Sequence, residues 1–233
     1  MAFDPSKYTV AKARPLPVIL LLDRSGSMGE MGGEKIKQLN AAVNEMIDSF
    51  KTAGNGEVEI DLAVISFGDG GASYDIPLQS VKGIECVFAL KAYGGTPMGL
   101  ALRMAKDMLE DKSVIPSNGY RPAIVLVSDG EPNDDWQGPM QDFVSGGRSS
   151  KCERFAMAIG TTKDDPVLNQ FLAGTKNKVF LAEEASKIRD FFKFVTMSVS
   201  VRSRSQNPNA LLTNEKGSVS VIKDLAKELG IDL

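Results

Sequence analysis

The sequence predicts an α/β fold of the Rossmann-like, doubly wound kind: a mostly parallel central sheet with one short antiparallel edge strand and helices on both faces. Three observations predict it. Strand-like apolar runs alternate with helical patterns along the chain, which is how a parallel sheet with helical crossovers reads. The run over 16–22 is apolar apart from Pro17, as expected of a central strand buried on both faces. Next, Ile36, Leu39, Val43, Met46, Ile47 and Phe50 recur mostly at three- and four-residue steps, the apolar stripe of an amphipathic helix over 34–51.

The remaining elements follow in order. Gly54, Asn55 and Gly56 end the first helix, and the apolar stretch over 58–67 is a second strand. A short third strand over 74–78 is antiparallel if it returns as a hairpin. Pro97 suits the first turn of a helix over 97–109, with Met98, Ala101, Leu102, Ala105 and Leu109 facing inward. A buried strand over 123–127 comes next, then strand 155–159, helix 167–172, strand 179–181 and helix 184–201. The segment RSRSQNPN from Arg202 is polar and aperiodic, so residues 202–218 read as a linker or surface strap in which Arg202 and Arg204 are better read as solvated than as pinning a phosphate or an acidic partner. Val219, Ile222, Leu225, Ala226 and Leu229 form the apolar face of a terminal helix within 219–233, to pack on its own domain or on a partner. The organisation expected is an extension over 1–15, a domain over 16–201, the strap and the terminal helix.

Composition narrows the function. The 233 residues include 27 basic and 30 acidic side chains, a net charge of −3, which gives no electrostatic footprint for nucleic acid or an anionic membrane. No apolar run approaches the roughly 20 residues that span a bilayer. The start MAFDPSKYTV lacks a basic-then-apolar signal pattern, so a cytoplasmic protein is expected, with Cys86 and Cys152 as reduced thiols. The chain has no histidine, which removes Ser-His-Asp and Cys-His catalysis, and two cysteines are too few for an all-thiolate zinc site. A bound metal would be held by oxygen.

The segment LPVILLLDRSGSMGE supplies such oxygens. Asp23, Ser25 and Ser27 begin where the buried strand ends, at the sheet edge where open α/β folds bind ligands. Alternate residues of an extended loop aim their oxygens at one point. One carboxylate with two hydroxyls leaves Mg²⁺ or Mn²⁺ short of negative charge and attractive to an anion. Two more loops offer partners: Thr96 in YGGTPMG and Asp129 in IVLVSDGEPND. Thr96 before Pro97 is also a common helix N-cap, and Asp129-Gly130 is also an ordinary turn.

Together these five residues resemble the metal-ion-dependent adhesion site of von Willebrand factor A domains, a resemblance covering about 16–201. That family's pattern is D-x-S-x-S, then a threonine, then an aspartate before glycine, and Asp23, Ser25, Ser27, Thr96 and Asp129 fill it. The resemblance implies that the serines and threonine touch the ion, that the aspartates act mostly through water, and that a partner protein's Asp or Glu completes the coordination. The segments DRSGSM, GGTPMG, SDGEPND and FFKFVTMSVSVRSRS further resemble the TerY-like bacterial subgroup, which is associated with tellurite resistance and stress systems, some members standing beside phosphatase or kinase partners.

Other residues are weighed against this reading. Glu131, Asp134 and Asp135 follow Asp129 closely enough for a second cation, but Asp134 or Asp135 is better read as capping the helix that leads to Phe143. Neither G-x-G-x-x-G nor a P-loop lysine occurs among Gly26, Gly29, Gly32 and Gly33. Met28, Met31 and Trp136 either frame a partner surface or pack inward. The function expected is a non-enzymatic, metal-dependent protein-binding module. The alternative is a Mg²⁺-dependent phosphoryl-transfer hydrolase with Asp23 as nucleophile, which Ser25 disfavours because it stands where a second carboxylate would act as acid. A scaffold whose ion only steadies the loops is the third class.

Overall fold

The structure of the protein, a computed structural model, describes residues 14–53, 58–85, 87–160, 162–184, 186–204 and 226–227. The glycine-rich break at 54–56, Cys86, the side chains of Met31 and Arg204, and most of the expected extension, strap and terminal helix lie outside the described residues.

The first strand, β1 (Arg14–Asp23), is followed by a 3₁₀ turn over Gly26–Gly29, α1 (Glu30–Ala53), β2 (Val58–Gly68) and β3 (Gly71–Ser80). Then come α2 (Met98–Glu110), β4 (Ala123–Ser128), α3 (Gln137–Ser145), β5 (Glu153–Ile159), α4 (Pro166–Phe171), β6 (Phe180–Ala182) and α5 (Ser186–Arg204). The strands form one sheet in the order β3-β2-β1-β4-β5-β6. All neighbours are parallel except β2 and β3, whose hairpin makes β3 the antiparallel edge. The expected fold class is therefore the observed one.

Alternation along β1 sorts the core into two layers. Leu16, Val18, Leu20 and Leu22 pack with α1 and α5, whereas Ile19 and Leu21 face α2, α3 and α4. Both sets are fully buried, which is why the strand carries no polar face. The chain leaves β1 toward β2 on one side and reaches β4 on the other, so the switch in strand order lies between β1 and β4. Asp23 closes β1 there, opposite Phe67 of β2, and the pairing of Leu22 with Val127 brings Ser128 alongside.

One expectation at the carboxyl end is corrected. α5 continues past 201 to Arg204, and Arg202 is buried, not solvated. Its guanidinium lies 2.9 Å from Glu153 Oε2 and donates to the Arg121 carbonyl at 2.6 Å. A buried charge is tolerated when a counter-charge and a hydrogen-bond acceptor accompany it, and Arg202 has both. Ala226, helical and buried, belongs to the same core layer as α1 and α5.

Candidate functional site

The loop after β1 is laid down by backbone hydrogen bonds. Arg24 N donates to Phe67 O at 2.9 Å, Tyr93 N to Arg24 O at 2.8 Å, and Gly26 N to Gly94 O at 2.9 Å. The Y-G-G segment is thus zipped onto the D-x-S-x-S loop, and Thr96 follows two residues after Gly94. No local helix or strand is needed to hold it there.

Within this frame the polar side chains form a chain. Asp23 is fully buried; its Oδ1 accepts the Ser25 backbone N–H at 2.8 Å and its Oδ2 accepts the Ser128 hydroxyl at 2.6 Å. Ser25 Oγ lies 2.9 Å from Ser27 Oγ, and Ser27 Oγ donates to Asp129 Oδ1 at 2.6 Å. Lys35 Nζ then donates to Asp129 Oδ2 at 2.7 Å. Thr96, also buried, faces the same space: a Cβ built on Gly130 would lie 3.9 Å from Thr96 Oγ1 and 4.0 Å from Ser27 Oγ. Both hydroxyls therefore lie beside Gly130.

The structure thus places all five sequence-predicted residues around the carboxyl ends of β1 and β4. The cap position of α2 is Pro97, one residue after Thr96, and it has no side-chain cap bond. Asp129 is no plain turn residue, since both its oxygens are engaged by side chains.

Burial pushes the Asp23 carboxyl above its ordinary value; hydrogen bonds from Ser128 and Ser25 pull it down, and the nearby Asp129 pushes it further up. A carboxylate so placed is stabilised by a cation. The hydroxyl of Ser27 spends its proton on Asp129 and accepts from Ser25, leaving one lone pair for a metal. Hard oxygens from two carboxylates and three hydroxyls fit Mg²⁺ or Mn²⁺. Among the described residues no three His, Cys, Asp or Glu side chains cluster as a metal site, so this mixed donor set is not saturated with charge.

The neighbouring acids behave otherwise than expected. Asp134 caps α2 rather than α3: its two oxygens accept Gly99 N and Leu100 N, each at 3.0 Å. Its position just before α3 in sequence hides this, because the helix it serves lies earlier in the chain. The cap position of α3 is Trp136, which makes no cap bond with its side chain, is half-buried and packs against the α2-side core. Asp135 pairs with Arg103 at 3.5 Å, and Met28 is wholly buried.

Sequence reasoning missed Lys35, Ser128 and Asn133. Ser128 is visible in retrospect as the polar end of an otherwise apolar strand. Asn133 holds Thr96 from both sides, its backbone N donating to Thr96 O at 3.1 Å and its Oδ1 accepting Thr96 N at 3.0 Å.

Residues 18–194 match the family described as von Willebrand factor type A domain. Chicken (Gallus gallus) matrilin-3 is 26% identical over 162 residues, covering 65% of this chain and 33% of matrilin-3. The chain therefore spans about a third of that curated relative. Among solved structures, proximal thread matrix protein 1 of the mussel byssus, with a zinc-occupied metal-ion-dependent adhesion site, is 20% identical with a TM-score of 0.59, covering 79% of this chain and 48% of that one. A von Willebrand factor type A protein from Catenulispora acidiphila is 23% identical with a TM-score of 0.59, covering 79% and 42%. Both likenesses are of fold. No helix among the described residues is long and apolar enough to cross a membrane.

Proposed function

Because this chain belongs to the von Willebrand factor type A domain family, we propose that it is a metal-dependent protein-binding module in which Asp23, Ser25, Ser27, Thr96 and Asp129 hold Mg²⁺ or Mn²⁺ and a partner's Asp or Glu completes the coordination. The observation that carries the reading is the unbroken hydrogen-bonded chain from Ser25 through Ser27 to Asp129, across the strand ends and beside buried Asp23. Three neutral hydroxyls donate without adding charge, so the ion, when bound, supplies an electrophilic position for a carboxylate. The protein's own groups orient the donors: Ser128 and the Ser25 amide fix both oxygens of Asp23, and Asn133 fixes the backbone of Thr96. The zinc held at the corresponding motif of the mussel protein supports a divalent ion.

The phosphoryl-transfer alternative is disfavoured by Ser25, which stands where a second carboxylate would act as acid. A cytoplasmic TerY-like role in tellurite resistance or stress, with a phosphatase or kinase as partner, is the narrower form of the proposal. It rests on the DRSGSM, GGTPMG and SDGEPND segments.

Titration calorimetry with MgCl₂ and MnCl₂, alongside pull-downs from cell extract with Mg²⁺ or with EDTA, tests it. The parent should bind one ion, Asp23→Ala and Asp129→Ala should bind none, and the proteins captured should be lost with EDTA and with either variant. Unchanged ion binding in Asp23→Ala overturns the reading.

A further inference from the structure

Lys35 lies in the second turn of α1, where an amphipathic pattern assigns it to solvent. Its side chain instead reaches Asp129. Lys35 Nζ is 2.7 Å from Asp129 Oδ2 and 3.5 Å from the Ser27 carbonyl oxygen. The Asp129 side chain is fully buried and that of Lys35 is 20% exposed, so the pair is largely shielded from water. Gly160, just beyond β5, has φ +67°, and a Cβ there would lie 3.6 Å from Lys35 Nζ and 3.7 Å from its Cε. These are ordinary contact distances, so the ammonium lies against the Gly160 backbone.

From this geometry we infer that Lys35 is a positioning and charge-setting residue of the ion site: it holds Oδ2 of Asp129, turns Oδ1 toward the serine hydroxyls, and restrains divalent-ion affinity so that the loaded site stays positive toward a partner's acid. The inference rests on the proposed ion site. A divalent ion with two aspartates sums to zero charge. Lys35 adds one positive charge within contact distance of a ligand, which repels the ion at close quarters and attracts an incoming carboxylate. Asp129 is left with one oxygen directed at the site, since the ammonium occupies the other. The same carboxylate without Lys35 would offer both oxygens and its full charge to the metal.

Mn²⁺ binding measured by electron paramagnetic resonance, with Mg²⁺ in competition, tests this on the whole chain. Lys35→Met removes the charge, Lys35→Gln removes it but keeps a donor for Asp129, and Lys35→Arg retains both. Both neutral variants should bind Mn²⁺ more tightly, by about fivefold or more, and Lys35→Arg should stay within about twofold of the parent. A gain in affinity does not arise from a merely damaged fold. Equal or weaker Mn²⁺ binding by Lys35→Gln, folded by circular dichroism, overturns the role of Lys35 while leaving the ion site standing. A parent chain that binds neither metal overturns both.

Discussion

Asp134, in the loop after β4, supplies the N-terminal cap of α2 by accepting the backbone N–H of Gly99 at 3.0 Å. The neighbouring Leu100 N–H goes to its other oxygen. Gly99 must lack a side chain for this approach, because a Cβ there would lie 2.5 Å from the Asp135 carbonyl oxygen. Together with the two-way bond between Asn133 and Thr96, the cap makes the loops bearing Thr96 and Asp129 one unit. Thr96 and Asp129, two residues of the proposed site, are therefore held relative to each other by the protein's own hydrogen bonds.

Asp134→Ala should lower stability by about 1–2 kcal/mol, the usual cost of losing an N-cap. It should also weaken Mg²⁺ binding, because the Thr96 loop loses an anchor. Asp134→Asn keeps one of the two acceptor oxygens but loses the other bond and the charge at the helix N-terminus, so its cost should fall between the parent and Asp134→Ala. Urea denaturation and calorimetry on the three proteins check the order.

Two glycines separate backbone strain from crowding. Gly94 has φ +83°, and a Cβ on it would come within 2.3 Å of both the N and Cα of Asp69. Those are backbone atoms of a neighbouring turn and cannot swing aside. Gly70 has φ +73° but nothing within 4 Å of its Cβ position. Gly94→Ala should cost more than ~3 kcal/mol or fail to fold, whereas Gly70→Ala should cost only ~1 kcal/mol. Equal losses in urea denaturation would show that the Y-G-G segment does not depend on the close approach.

What was legible in the sequence was whatever has a local period or a local run. β1 and β4 are readable because a strand buried on both faces must be apolar throughout, and α1 because its stripe repeats every three or four residues. Asp23, Ser25 and Ser27 are readable because an extended loop aims alternate residues together. Long-range polar partners leave no such trace. Asp134 serves a helix 35 residues earlier, and Lys35 serves an aspartate 94 residues later. Arg202 reads as solvated because the Glu153 that neutralises it lies 49 positions away, on a different element. Pattern reasoning picks out the candidate donors and misses Lys35, Ser128 and Asn133, which hydrogen-bond to them.

Cys152 gives the pH dependence a definite sign. It sits just before β5, buried, with Sγ donating to the Arg148 carbonyl oxygen at 3.5 Å. Burial pushes its thiol up to about 12, outweighing the opposite pull of Arg154 and Arg148. An unfolded chain releases the same proton near ~8.5. The folded value exceeds the unfolded one, so the contribution of this thiol to stability is complete below about pH 8.5 and drains away as pH rises toward 12. The slope for this one group approaches ~1.4 kcal/mol per pH unit inside that window. Denaturation midpoints should therefore fall between pH 8.5 and pH 10, and Cys152→Ala should shallow that fall, though the lost packing lowers its stability at pH 7. Peptide mapping after iodoacetamide treatment at pH 8.5 should find Cys152 unmodified in the native protein and modified in urea. Equal labelling in both would mean that the thiol is open to water in the native protein, and the alkaline fall would then need another source.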